Sequence, residues 1–292
     1  MHKYLNAIGY GGLTSEKELN KLLREAENVY SHHELMTLDP EVDYCEYRTE
    51  CANNIGLCIC GTADMEEHFE RHYYYPYFKG SGVTSHADVM IERRIDKEAY
   101  AGICEDAKLG ISLIFHLQNT AECMQLTGGE PQEIKQASIT LSGLCNYGMI
   151  LLPVMKNPEQ ERKRKEESKN RMMLLSAARN GDQSAMETLT LDDLDTYTKV
   201  SRRLITEDVF SIVDTYFMPY GIECDSYSIL GEILAIQKIE NWQTGEELYI
   251  MQLNVNEIRF DICVPKTNVV GEPAVGRRFK GNIWLQGRIN IG

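Results

Sequence analysis

Most of the first half of the chain alternates between apolar and polar residues, which is the period of half-buried β-strands. Strands are predicted in pairs around turn-forming residues such as Asn53-Asn54, and this spacing indicates hairpins and an antiparallel sheet. Cys145-Asn146 is interpreted as the turn of the last pair. The predicted strands cover 4–10, 43–50, 56–61, 88–95, 99–105, 111–117, 137–144 and 147–154.

Helical periodicity appears early in the chain and again in its middle. Residues 16–29 repeat leucine and alanine at helical spacing after the capping pair Thr14-Ser15. In the middle, Asn157-Pro158-Glu159 predicts a helix start and Asn180-Gly181 its end. Three further helices are predicted: a short one over 184–189, one from a capping box at Thr190 to about Leu204, and one starting at Thr206 that buries Val209, Ile212, Val213 and Tyr216.

The last part of the chain returns to the strand period, with strands predicted over 227–239, 248–253, 258–264 and 279–289. About four strands in ~70 residues, with glycines that permit sharp coiling, are enough for a small barrel. The fold class predicted for the whole chain is therefore α+β. It comprises a mixed antiparallel-sheet domain over 1–155, a helical connector over 156–221 and a separate β-barrel-like domain over 222–292.

Composition adds limits to this picture. Hydrophobic residues make up 43% and charged residues 25% of the 292, which excludes wholesale disorder. The net charge of −14 disfavours nonspecific binding to nucleic acid or anionic lipid. The charge is uneven: net −11 over 1–155, −1 over 156–221 and −2 over 222–292.

The cysteines and the N-terminus indicate a compartment. Nine cysteines is an odd count, and no apolar core of signal-peptide length follows Met1, so reduced thiols in the cytoplasm are expected. The longest nearly uncharged apolar run, 147–155, is too short to span a bilayer, so no membrane association is expected. The cluster Cys45, Cys51, Cys58 and Cys60 lacks zinc-ligand spacing and is interpreted as small apolar residues of a sheet.

Three further motifs give little indication of a catalytic or binding site. His68 to His72 places two imidazoles on one face if it is helical, but the order His-x-Glu-x-His differs from the zincin motif, and a solvated helix is preferred. The aromatic run 73–78, with Tyr74 and Tyr75, is interpreted as packing, with a binding platform as the alternative. The glycine stretches, including Gly80-Ser81-Gly82, match no phosphate-binding motif and are interpreted as turns. Neither a metal nor a cofactor is predicted.

The basic residues near the C-terminus stand out because no acidic residue follows Glu272. We expect Arg277, Arg278 and Lys280, with Phe279 and Trp284 packing nearby, to dock onto an acidic protein surface such as the first domain. Solvated arginines are the alternative. The basic run 162–165 is neutralised by interleaved glutamates.

Four segments resemble a known group: 1–10, 179–182, 217–221 and the tail 276–287. On these segments the chain resembles, over its full length, a bacterial and mostly clostridial family of domains of unknown function. The resemblance implies no reaction, ligand or catalytic residue.

Three functional hypotheses remain open at this point. The preferred one is a non-enzymatic cytoplasmic protein whose barrel mediates self-association or contact with a protein partner. The second is an enzyme with a cleft in the N-terminal domain, for which the carboxylates Glu66, Glu67 and Glu70 are candidates. The third is a nucleic-acid-binding barrel, which the net charge disfavours.

Overall fold

A computed structural model describes residues 1–39, 41–66, 68–94, 99–106, 109, 111–127, 133–154, 158–203 and 209–291. It is mostly β-structure with helices in separate segments, which confirms the α+β class. The first helix, α1 (Glu16–Asn28), begins at a capping box formed by Ser15 and Glu18, and its leucines are buried. The segment 4–10 contains a 3₁₀ turn at Asn6–Ile8, so the strand predicted there was wrong. Its residues are apolar because they pack into the core.

Sheet A is an antiparallel meander in chain order. The predicted hairpin at Asn53-Asn54 is confirmed, with Asn54 in the left-handed region at φ 61°. The solvated helix predicted over 68–72 was wrong, because this segment begins the fourth strand and pairs with the third. The strands are β1 (His32–Asp39), β2 (Val42–Ala52), β3 (Ile55–Asp64) and β4 (Phe69–Phe78).

The remaining strands, apart from those of sheet A, form sheet B. Those of the first half are β5 (Ser85–Arg93), β6 (Tyr100–Asp106), β7 (Ile111–Leu117) and β8 (Glu133–Leu151). Helix α2 (Thr120–Thr127) lies between β7 and β8. Those of the second half are β9 (Tyr216–Pro219), β10 (Ser226–Glu240), β11 (Glu247–Val255), β12 (Ile258–Pro265), β13 (Val269–Val270) and β14 (Arg278–Asn290).

The pairings of sheet B close on themselves twice. In the first ring, β10, β11, β12, β8 and β14 pair in that order, and β14 pairs back to β10. In the second ring, β8, β5, β6, β7 and β14 pair in that order, and β14 pairs back to β8. The contact between β7 and β14 comprises only two residue pairs. The two rings share the antiparallel pair β8–β14.

This sharing corrects two predictions. Cys145-Asn146 is not a turn but lies at an irregularity in the β8–β14 pairing: β8 continues past it, because β14 pairs with β8 on both sides of this point, β12 before it and β13 after it. Residues 222–292 are likewise not separate from the N-terminal strands, since β14 pairs with both β7 and β8.

The helices of the middle segment are α3 (Pro158–Arg179), α4 (Gln183–Arg203) and α5 (Val209–Ile212). The first ends at Asn180-Gly181 as predicted, with Gly181 at φ 87°. The two helices predicted over 184–204 are one, because Thr190 lies inside α4 and its hydroxyl donates to the Met186 carbonyl. The predicted start at Thr206 lies outside the described residues. Tyr216 begins β9 and is not part of a helix.

Sheet A packs against the outer face of the first ring. Leu57, Ile59 and Tyr75 of sheet A share one buried cluster with Leu144 and Leu248 of the ring. The opposite faces of the ring strands contribute to a second cluster. Sheet A therefore covers one side of the ring. The cleft described below lies at the boundary between sheet A and the ring.

Candidate functional site

A cleft of about 200 Å³ opens between the outer face of the first ring and one end of sheet A. Phe78, Ile239 and Ile250 form its apolar part. Its polar part comes from the β2–β3 turn, from the chain just after β4, and from β10 to β12. These polar residues are Asn53, Asn54, Lys79, Ser81, Gln237, Gln252 and Asp261.

Strand pairing aligns four polar residues on the outer face of the ring. Gln252, Asp261, Ser142 and Gln286 are successive neighbours across β11, β12, β8 and β14. We call these four residues the polar row. All but Gln252 are buried.

Two members of the polar row bind the end of β4. Gln286 accepts a hydrogen bond from the Phe78 N–H at 3.0 Å and donates to the Pro76 carbonyl at 2.8 Å. The Ser142 hydroxyl donates to the Phe78 carbonyl at 2.6 Å. Because the edge of β4 has no strand partner here, these side chains satisfy the backbone groups that burial would otherwise leave unpaired.

Asp261 extends this attachment past the end of the strand. One of its carboxylate oxygens accepts from the backbone N–H of Ser81 at 2.7 Å and from the Ser81 hydroxyl at 2.5 Å. Gly80 makes the close approach possible, because a Cβ at this position would lie 2.6 Å from the Leu141 carbonyl oxygen. The backbone of Lys79 is fixed as well, by its N–H bond to the Asn54 carbonyl at 2.8 Å.

Lys79 is the cation of the cleft. Burial lowers the pKa of its ammonium group, and the guanidinium groups of Arg48 and Arg288 act in the same direction, whereas the carboxylates of Glu50 and Glu34 act against the shift. Within the described parts of the chain, no carboxylate lies close enough to form an ion pair with it. Its nearest recorded partner is the ring of Tyr77, whose centroid is 5.7 Å from Nζ. A half-buried cation that forms no ion pair with a described residue is suited to receive an anion from solution.

The amide side chains of the cleft are also unsatisfied by the protein. Asn53, Asn54, Gln237 and Gln252 make no side-chain hydrogen bond to another described residue. Each carries two donors and one acceptor that can bind a ligand. The cleft therefore offers one positive charge, one buried carboxylate and four amides to a small polar molecule.

A buried charge cluster lies in sheet A behind this site. The Arg48 guanidinium donates to Glu46 at 2.7 Å, to Glu34 at 3.0 Å and to the Gln118 carbonyl at 2.5 Å. Gln118 in turn donates to Phe78 and Gln286, which connects the cluster to the end of β4. One guanidinium thus faces two carboxylates.

The two carboxylates titrate differently. Burial raises the pKa of Glu46 to about 7, although Arg48 opposes this shift, and nearby Glu34 adds to it. Burial also acts to raise the pKa of Glu34, but Arg48 and His32 hold it below its ordinary value. The cluster reaches neutrality when Glu34 is ionised and Glu46 is protonated, as expected for two carboxylates around one cation.

The basic tail residues do not form one accessible patch. Arg278 is buried, and its guanidinium donates to the carbonyls of Leu152, Val213 and Phe210. Arg277 is half-buried and donates to the Glu272 carbonyl. Docking onto an acidic surface stays a prediction. Of the three basic residues in that prediction, only Arg277 and Lys280 are not buried.

Lys280 lies over the ring of Phe210, with Nζ 4.3 Å from the centroid. Trp284 is buried, stacks on Tyr4 and donates from its indole nitrogen to Asp225 at 2.8 Å. Tyr75 is buried and donates to the Gln118 carbonyl, whereas Tyr74 is half-buried and accepts from the backbone N–H of His2. The aromatic run 73–78 is therefore mainly packing in β4.

Other predicted features can be placed as well. Cys45, Cys51, Cys58 and Cys60 lie buried on β2 and β3. In the described segments no group of three metal-ligating side chains comes together. No described helix has both the length and the apolarity to cross a membrane. Glu66 and Glu70 are exposed at the end of β4 remote from Lys79, and Glu67 lies outside the described residues.

Sequence reasoning missed the residues of the cleft. Asn53-Asn54 and Gly80-Ser81-Gly82 were interpreted only as turns. The one sequence signal for the cleft is the stretch Gly80-Ser81-Gly82 directly after the aromatic run. Glycine there indicates a backbone that closely approaches another part of the chain.

Comparison with known proteins adds a family but no activity. A family model described as "Domain of unknown function, E. rectale Gene description (DUF3881)" matches residues 5–287. No curated protein matches the chain, and no solved structure matches it.

The charge cluster generates a prediction about pH. Because the folded pKa of Glu46 lies above its unfolded value, Glu46 takes up a proton on folding, and its contribution to stability is lost as pH rises from about 4.5 to 7. Glu46→Gln removes this dependence. Its stability relative to wild type should rise by up to ~3 kcal/mol between pH 5 and pH 8.

Denaturant unfolding of both proteins across this pH range measures the difference. Glu70→Gln, an exposed carboxylate on β4, is the control and should track wild type. A stability difference between Glu46→Gln and wild type that stays constant with pH would contradict the assignment.

Proposed function

We propose that this chain, which belongs to the family of domains of unknown function with an E. rectale gene description, is a binding protein whose cleft holds a small anionic molecule. The observation that carries the proposal is Lys79, a half-buried ammonium group without an ion-pair partner among the described residues. Moving a cation partly out of water is costly unless a counter-charge compensates for it. A bound anion supplies this compensation.

The architecture supports the same location. We propose that the first ring is a small β-barrel. Its strand order β10-β11-β12-β8-β14, with the parallel contact between β12 and β8, is that of the oligonucleotide- and oligosaccharide-binding barrel. Here β8 comes from the first half of the chain, so the order along the sequence is permuted. In that architecture ligands bind on the outer face of the second and third strands, which correspond to β11 and β12.

The size and charge of the cleft narrow the ligand. A volume of about 200 Å³ lies below the roughly 300–1,000 Å³ of sites that hold drug-sized ligands, which favours a small metabolite over a polymer. Sheet A covers part of the same face, and the chain carries a net charge of −14. Both features disfavour nucleic acid as the ligand.

We also propose that the protein works in the reducing interior of the cell, with contacts to a protein partner or a second copy made through the basic tail. All nine cysteines are free thiols, and Cys224 is the exposed one. Free thiols in this number are typical of proteins that work in a reducing compartment.

The anion proposal predicts that small carboxylates or phosphate stabilise the protein. At 100 times the dissociation constant a ligand adds about 2.7 kcal/mol, which corresponds to a rise of several degrees in Tm. Lys79→Gln should lose this rise because the neutral amide no longer attracts the anion.

Thermal unfolding with acetate, citrate and phosphate at constant ionic strength tests this. Lys17→Gln, an exposed lysine on α1, is the matched control and should keep the full rise. Equal anion-dependent stabilisation of wild type and Lys79→Gln would exclude the cleft as the site.

The thiol proposal predicts one fast-reacting group in the folded protein, Cys224, and nine groups in denaturant without reductant. Burial also raises the pKa of Cys51, Cys123 and Cys145 to about 12, which keeps these thiols protonated and unreactive. Titration with a chromogenic disulfide reagent measures both numbers. A denatured count well below nine in freshly purified protein would show that disulfides had formed.

A further inference from the structure

The cleft contains a negative group as well as a positive one. Asp261 lines it together with Lys79, yet the two are not within ion-pair distance of each other. Ser81 occupies one oxygen of the Asp261 carboxylate. Both charges are held on fixed backbone, Asp261 in the middle of β12 and Lys79 on the segment bound to Asn54. The site is therefore bipolar, and both charged residues are carried by backbone that is held in place.

A simple anion would satisfy only half of this arrangement. It would neutralise Lys79 but leave the buried Asp261 carboxylate with Ser81 as its only donor residue among the described ones. A molecule with both an anionic and a cationic group satisfies both ends. In an α-amino acid these groups are attached to one carbon atom, which suits two opposite charges that face the same small cleft.

The amide side chains of the cleft indicate the chemistry of the rest of the ligand. Gln237 and Gln252 lie on neighbouring strands, and Asn53 and Asn54 line the same cleft from the β2–β3 turn. A wall that is rich in primary amides pairs best with a side chain that both donates and accepts hydrogen bonds.

We infer that the ligand of the cleft is a polar α-amino acid, with its carboxylate on Lys79, its ammonium group on Asp261 and its side chain against the amides. This inference rests on the proposed function and specifies its ligand. It assigns Asp261 a second role besides holding Ser81.

The test uses L-glutamine and two analogues that each lack one charge. Glutaramate lacks the amino group, and 4-aminobutanamide lacks the carboxylate. All twenty standard amino acids are first screened by thermal unfolding of the full-length protein, and the three compounds are then titrated by calorimetry. We expect glutamine to bind at least about tenfold more tightly than either analogue, because each lost contact is a charge-assisted hydrogen bond.

Two variants separate the two ends of the ligand. Asp261→Asn should weaken glutamine binding about tenfold and leave glutaramate binding unchanged, since the asparagine carbonyl still accepts from Ser81 and preserves the fold. Lys79→Gln should weaken both glutamine and glutaramate but not 4-aminobutanamide. Glu70→Gln serves as the control, and the Tm of each unliganded variant verifies folding.

The outcomes distinguish this inference from the proposed function. If glutaramate binds as tightly as glutamine, or if all twenty amino acids fail to bind while simple carboxylates bind through Lys79, the amino-acid inference is overturned and the anion site stands. If neither amino acids nor simple anions bind in a manner that depends on Lys79, both are overturned.

Discussion

The attachment of one strand end to the polar row is the interaction on which the site depends. The end of β4 lies at a sheet edge, so its backbone needs partners that no neighbouring strand provides. Gln286 and Ser142 supply them, and Asp261 binds Ser81 just after the strand, so that three strands of the ring hold this segment. Because these residues are neighbours in register, they hold the segment from Pro76 to Ser81 in one position. Lys79 lies in this segment and lines the cleft together with the fourth member of the row, Gln252.

The ring that carries the polar row depends in turn on the β8–β14 pair. Both strands are unusually long, at 19 and 13 residues, because each contributes to two rings. The pair joins the two halves of the chain. Ligand binding at β11 and β12 would therefore stabilise strands that belong to the first 155 residues as well as those that follow residue 222.

Local signals predicted much of the fold. Helix α1 has its capping box and apolar spacing within one short segment, and the hairpin at Asn53-Asn54 has its turn residues between alternating strands. The prediction failed where long-range pairing overrides local preference. Asn146 resembles a turn residue, but it lies at an irregularity in the pairing of β8 with β14, and β8 continues because β14 pairs with it on both sides of Asn146.

The site itself could not be predicted for the same reason. Ser142, Gln252, Asp261 and Gln286 are polar residues scattered over about half the chain, and only strand register makes them neighbours. The tail cations drew attention because they cluster in sequence, yet Arg278 uses its guanidinium inside the protein. Residues that are close in sequence, such as the tail cations, therefore do not form the site, whereas residues that are distant in sequence do.

Backbone NMR spectra recorded during titration with a small carboxylate test the central claim, that the protein binds anions at the cleft, most directly. The account predicts that the largest shift changes occur at Asn54, Lys79 and Gln252, with little change at Arg277 and Lys280. Shift changes concentrated on the basic tail, with the cleft unaffected, would contradict it.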